Sequence, residues 1–197
     1  MTNALLALAI AYLAGAIPFG YLLVKWKTGA DVRGAGSGNI GATNVLRTTG
    51  RGAGIATLLL DIAKGFFAVW FAGRLTNQDP LWMSLAALTV MAGHSYPVFL
   101  KFRGGKAVAT FVGAFLCLTP AALAIVLLVF AVVVGKTRFI SLGSIVAAAV
   151  FPLGVWLIHQ PPMPVFLASL VAGLFIIYRH SSNISRLRDG TEHRLRL

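Results

Sequence analysis

Residues 107–134 read AVATFVGAFLCLTPAALAIVLLVFAVVV, a run of 28 residues without a charge. As a single helix it would be about 42 Å long, against a bilayer hydrocarbon core of about 30 Å. Thr119 and Pro120 stand near its middle. A proline inside a helix removes one ladder hydrogen bond and clashes with the preceding turn. The stretch therefore reads as two short helices, 107–118 and 121–134, forming a hairpin that need not cross fully.

Outward from this point, further apolar runs occupy about 3–24, 53–73, 81–100, 139–158 and 164–178. The chain is 58% hydrophobic and 11% charged, where a soluble domain carries about a quarter charged residues. The expected fold is an all-α integral membrane protein of about seven transmembrane helices, organised as one polytopic domain over 1–197. The first run precedes the first basic residue, Lys25. A signal peptide needs a basic segment ahead of its apolar core, so this run is read as a retained span. The single Cys117 excludes an internal disulfide and a cysteine metal cluster, and is read as a buried small hydrophobe.

Splitting 107–134 also sorts the charges. Segments 25–52, 101–106, 135–138 and 179–197 then share one side, and of the 17 Lys and Arg all but Lys64 and Arg74 fall in them. Unsplit, Lys136 and Arg138 would face away from 101–106. By the positive-inside rule that side is cytoplasmic, with the N-terminus outside and the C-terminus cytoplasmic. Three polar stretches then converge on one face: Gly34–Gly54, Gly93–Thr110 and Tyr178–Arg194.

The first, GAGSGNIGATNVLRTTGRGAG, contains a G-x-G-x-x-G spelling at Gly36, Gly38 and Gly41. A dinucleotide site needs a strand before it and a βαβ unit around it, whereas apolar helices flank this loop. Ser37, Asn39, Thr43, Asn44, Arg47 and Arg51 are donors suited to phosphate oxygens. Glycines at 38 and 41 let backbone N–H groups turn toward an anion. An anion site and a plain loop both remain open on residue types alone.

In the second stretch, Gly104 and Gly105 precede Lys106 at the start of a helix, a setting that attracts phosphate. The alternative is that Lys101, Arg103 and Lys106 only mark the membrane boundary, which leaves the paired glycines unexplained. His94 is read as a helix-packing residue. Asp61 and Lys64, one turn apart inside a span, are read as a structural, self-neutralising pair. In the third stretch, His180 and Asn183 share a face if the helix continues. His180 could act as a base or hold phosphate. Glu192 is expected to pair with Arg188 and Arg194. Ser141 is a candidate helix cap that could also touch a reacting group.

Several classes are excluded or left without support. Nucleic-acid binding is disfavoured by the absence of a soluble basic module despite a net charge of +12. There is no Walker A pattern, no G-x-S-x-G elbow and no acid–histidine cluster for a metal. No His has an Asp five positions later, the signature of the common soluble-domain glycerolipid acyltransferases. The remaining rival to an enzyme is a small anion carrier.

Together SGNIGATNVLR (37–47), GHSYPVFLKFRGGKAVAT (93–110) and RHSSNISRL…GTE (179–192) closely resemble the three motifs of the bacterial membrane glycerol-3-phosphate acyltransferases that use acyl-phosphate. Asp61-x-x-Lys64-Gly65 and the spacing of the spans extend the resemblance over almost the whole chain. The resemblance implies acyl transfer from acyl-phosphate to the 1-hydroxyl of glycerol 3-phosphate in the bacterial inner membrane, as the first step of phospholipid synthesis. It implies no cofactor. Ser37, Arg47, Lys106, His180 and Asn183 would be catalytic. Gly38, Asn39, Gly41, Thr43, Asn44, Gly104, Gly105 and Ser141 would bind substrate, and Glu192, Asp61 and Lys64 would be structural. The partners are the two substrates and membrane lipid, without nucleic acid, and a monomer is expected. One position departs: Ala107 stands where the family usually has glycine. If that position lies in the first helical turn, alanine fits well, and this is the expectation; a left-handed backbone there would be strained.

Overall fold

The computed structural model describes residues 1–195, so Arg196, counted above among the basic residues, lies outside the described residues. Its elements are all helical: α1 (Thr2–Ala16), α2 (Phe19–Thr28), α3 (Ala42–Thr49), α4 (Arg51–Leu75), α5 (Pro80–Ser95), α6 (Val108–Leu118), α7 (Pro120–Thr137), α8 (Ile140–His159), α9 (Met163–Arg179) and α10 (Ser181–Arg188). Single 3₁₀ turns occupy Val32–Gly34 and Val98–Leu100. The contacts divide into two compact units, with the boundary between Leu118 and Thr119. The boundary falls on the break expected from Thr119-Pro120, where Pro120 opens α7 in the first helical turn that proline tolerates.

Five helical stretches are long and apolar enough to cross a membrane: Thr2–Thr28, Arg51–Leu75, Pro80–Leu100, Pro120–Thr137 and Ile140–Ile158. α9 and α10, bent by 54° at their junction, make a sixth if the pair counts as one span. The expectation of two short helices is met only by α6, whose 11 residues reach about 17 Å. α7 has 18 residues because it runs three positions past Val134 to Thr137. The first span contains a break that the hydropathy hides. Ile17 is extended, as the residue before a proline is pushed to be, and Pro18 has no N–H to continue the ladder.

The first unit is built on small residues. α1 buries Ala4, Ala7, Ala11, Gly15 and Ala16 while Leu5, Leu6 and Leu13 stay exposed. In lipid, large apolar side chains gain nothing by moving inward, and close packing of small ones holds helices together. Two reciprocal pairs show this. A side chain at Gly15 would strike the carbonyl of Val90, and one at Gly93 the carbonyl of Tyr12, which locks α1 on α5. Gly65 likewise faces the carbonyl of Thr110, and Gly113 that of Ile62, which locks α4 on α6. In the second unit α8 packs on both α7 and α9. Gly173 of α9 abuts the Ala148 carbonyl. Cys117 proves half-buried rather than buried.

Candidate active site

Two of the three polar stretches lie in the first unit. The first is the glycine-rich loop, which is not a plain linker. Its Val32, Ile40 and Val45 bury with Val24, Ala53 and Leu100, so apolar residues pin it at intervals. Within it, α3 forms on the side of α4, where Gly54 leaves room for Leu46. Asn44 holds the loop from inside and is 1% exposed. Its amide nitrogen donates to the carbonyls of Val32 (3.3 Å), Ala35 (3.1 Å) and Asn39 (2.8 Å), and its oxygen accepts from the Ser37 N–H (2.8 Å). Every bond of the side chain is thus spent on the loop itself. Gly36 and Gly38 have positive φ (58° and 69°), and a Cβ at Gly36 would run into the Asn44 oxygen.

The sequence suggested that glycine N–H groups in this loop turn toward an anion. The structure corrects this at two positions: Gly38 donates to Ala35 O (3.0 Å) and Gly41 to the Asn39 side chain (2.8 Å). The side chains of Ser37 and Arg47 are presented on the exposed surface of this frame, and Thr43 is half-buried in the first turn of α3. At the loop entrance Arg33 pairs with Asp31 at 2.6 Å. Its hydrogen bonds hold the Asp31 carboxyl below the usual carboxylate range.

The second is the segment between α5 and α6. Gly104 N–H donates to Ser95 O and Gly105 N–H to His94 O, both at 3.1 Å. These two donors are also turned inward, and neither glycine has positive φ. They are glycines for lack of room: a Cβ at Gly104 would meet the His94 carbonyl, and one at Gly105 the His94 ring. Lys106 is half-buried just beyond them. Ala107 follows with φ +59°, left-handed and 1% exposed, and α6 begins only at Val108. The expectation that Ala107 lies in the first helical turn is therefore wrong. Its carbonyl accepts from Phe111 N–H at 2.7 Å, so it precedes the helix as a cap, in a conformation that a Cβ disfavours by about 1–2 kcal/mol.

Asp61 and Lys64 form a buried ion pair at 2.8 Å, as the sequence suggested, and Lys64 also donates to Ile17 O at 2.9 Å, at the break before Pro18. His94 was read from sequence as packing only. Its Nδ1 lies 3.6 Å from Asp61 Oδ1, a proximity that spacing along the chain could not reveal.

In the second unit α9 ends at Arg179, His180 caps it, and α10 starts at Ser181 after the bend. His180 is 3% exposed, with Nδ1 2.8 Å from the Ile176 carbonyl. A carbonyl only accepts, so Nδ1 carries the hydrogen of this bond. Glu192 gathers the rest. Its Oε1 accepts from Ser141 Oγ and Asn183 Nδ2, and its Oε2 from Arg186, all at 2.8 Å. Burial alone would raise this carboxyl; the three donors outweigh burial and hold it below the usual range. Its charged partner is Arg186, not the expected Arg188 or Arg194; Arg194 lies over the Phe139 ring instead. Arg186 was missed because it is one of many arginines in the tail. Ser141 is not the helix cap, a position taken by Phe139 without a side-chain bond. Leu195 N–H reaches the Arg138 carbonyl at 2.7 Å, which carries the tail back to the α7–α8 turn.

Helices long and apolar enough to cross a membrane, with polar segments at their ends, define a polytopic membrane protein, and comparison gives its activity class. The sequence profile of the glycerol-3-phosphate acyltransferase family matches residues 5–190, and the chain belongs to that family. A glycerol-3-phosphate acyltransferase of Geobacter sulfurreducens is 47% identical over 196 residues, covering 100% of both chains. One from Trichlorobacter lovleyi is 48% identical over 198 residues, again with 100% coverage of both. Among solved structures, the glycerol 3-phosphate form of PlsY, an integral membrane glycerol 3-phosphate acyltransferase, superposes with a TM-score of 0.93 at 39% identity, covering 98% of this chain and 96% of that one. Its lysophosphatidic acid form gives 0.90 at 38% identity, with 98% and 95% covered. The protein is thus a membrane acyltransferase, which sets aside the anion-carrier alternative.

Proposed function

We propose that the protein transfers a fatty acyl group from acyl-phosphate to the 1-hydroxyl of glycerol 3-phosphate, giving 1-acyl-glycerol 3-phosphate and inorganic phosphate, in a bacterial inner membrane. The observation that carries the acceptor and product is the 0.93 TM-score fit, over 98% of the chain, to an acyltransferase solved with glycerol 3-phosphate and also in a lysophosphatidic acid form. The donor rests on chemistry and on the motif resemblance. The chain has only five Asp and Glu. Of these, Asp61 and Glu192 are consumed by buried or half-buried partners and Asp31 by Arg33. An enzyme with so few carboxylates suits a donor that already carries a good leaving group.

In this reading the acceptor oxygen attacks the acyl carbonyl carbon directly. The carbon–oxygen bond to phosphate breaks, and phosphate leaves with the electron pair. Arg47 and Lys106 offset the repulsion between two phosphates and stabilise the charge that develops. Ser37 and Asn183 orient the substrates. The hydroxyl proton passes either to Nε2 of His180 or to the phosphate of the acceptor. Ser37 as an acyl-accepting nucleophile is the competing route.

Purified protein in detergent supplied with glycerol 3-phosphate and either acyl-phosphate or acyl-CoA tests the reading. Release of phosphate and formation of lysophosphatidate from acyl-phosphate alone is expected; no product from it overturns the donor. His180→Gln separates the two proton acceptors. Loss of about 10²-fold or more in turnover, with loss of the acidic limb of the pH–rate profile, is expected if His180 is the base. Unchanged turnover assigns the proton to the substrate phosphate.

A further inference from the structure

We propose that His94, braced by Asp61 from inside the helix bundle, is the positioning residue that fixes Lys106; this rests on the phosphate-binding role given to Lys106 above. The last carbonyls of a helix lack intrahelical donors. At the end of α5 the carbonyls of His94 and Ser95 take theirs from Gly105 and Gly104. The two residues ahead of Lys106 are therefore laid directly on the α5 terminus. The contact is steric as well as polar, because there is no space for a Cβ between Gly105 and the His94 imidazole. The ring is 4% exposed, so it has little freedom to yield.

On its inner side the ring faces α4. Asp61 Oδ1 lies 3.6 Å from His94 Nδ1 and 2.8 Å from Lys64 Nζ, and Lys64 is in turn tied to the Ile17 carbonyl. One turn further along, Gly65 receives the backbone of α6 at Thr110. The same face of α4 thus secures both sides of Lys106: the glycine pair before it through His94, and the start of α6 after it through Gly65. Between these anchors only Lys106 and the left-handed Ala107 remain to be set. An ion pair is costly inside a membrane, and this arrangement gives the Asp61–Lys64 pair a purpose that charge neutralisation alone does not.

Two variants approach the contact from opposite sides: His94→Gln removes the imidazole, and Gly105→Ala inserts a methyl group against it. Each is purified in detergent and checked for folding by its melting profile. If His94→Gln does not fold, Gly105→Ala probes the same contact. The first readout is the initial rate of acetylation of Lys106, followed by peptide mass spectrometry with exposed Lys136 as the internal reference. A change of about threefold or more at Lys106, with none at Lys136, is expected. The second is a double-mutant cycle: the loss of turnover, about tenfold or more in the Lys106 background, should shrink to within about threefold in Lys106→Arg. Unchanged Lys106 labelling in folded variants, or equal losses in both backgrounds, overturns the proposal. If the wild type uses no acyl-phosphate, the donor reading fails while the labelling arm still decides this one.

Discussion

Two residues carry most of what a single side chain decides here. Asn44 binds three carbonyls through one nitrogen. Asn44→Asp keeps its shape and its bond from Ser37 N–H but sets an oxygen against those carbonyls. Breaking buried bonds of this kind costs about 1–3 kcal/mol, enough to loosen the frame that presents Ser37 and Arg47. Turnover is expected to fall about tenfold or more, with faster proteolysis inside 31–50 and a smaller change in melting temperature. Ala107 makes the opposite prediction. Its left-handed backbone (φ +59°) is strained by the Cβ. Ala107→Gly should release about 1 kcal/mol, less what glycine loses through its freer unfolded chain. Thermal melting in detergent should rise or hold level, and turnover should not fall. A clear drop in melting temperature would show that the methyl group, 1% exposed, contributes more by packing than it costs in strain.

At the scale of elements, Glu192 is the joint of the tail, connecting α8 through Ser141 and α10 through Asn183 and Arg186. Its folded carboxyl titrates below its ordinary value of 4.5. The stability it supplies is therefore fully present above about pH 4.5 and is lost as pH falls through the lower folded value. Glu192→Gln should destabilise at neutral pH by about 1 kcal/mol, since Arg186 is partly solvated. The gap between variant and wild type should then close on acidification, which melting curves between pH 7 and pH 3 would follow. How much of these elements the sequence disclosed depends on their cause. The long spans and the Thr119-Pro120 break were legible, because continuous apolar runs and an interior proline act locally. α3 was not: eight residues are too few to signal a helix alone, and it forms because α4 offers Gly54 beneath Leu46. The positions of Ser141, Asn183 and Glu192 were legible as polar residues near helix ends, but their joining across 51 residues was not. Likewise the Asp61–Lys64 pair could be read from its spacing, whereas the approach of His94 to Asp61 depends on tertiary packing.

For the whole molecule the open quantity is orientation, and the distribution of charge argues for one. α9 has 17 residues and so carries its ends about 26 Å apart, with the Gln160-Pro161-Pro162 turn before it and Arg179, Arg186 and Arg188 after it. In the 25-residue α4, Arg51 stands at one end and Arg74 next to the other. The charge pattern of the sequence assigns Arg74 alone, among the basic residues outside the spans, to the opposite side from the polar stretches. Basic loops resist translocation, so the end of α9 that carries the arginines should face the cytoplasm. Both substrates of the proposed reaction are phosphate esters, and a soluble acceptor made inside the cell would meet the motif segments without crossing the bilayer. Single cysteines at Pro162 and Arg188, placed in a Cys117→Ala background, test this with a membrane-impermeant maleimide. In spheroplasts Pro162→Cys should label at once, and Arg188→Cys only after lysis. The reverse pattern would place the motif segments outside, where neither the acceptor nor the activated donor would reach them.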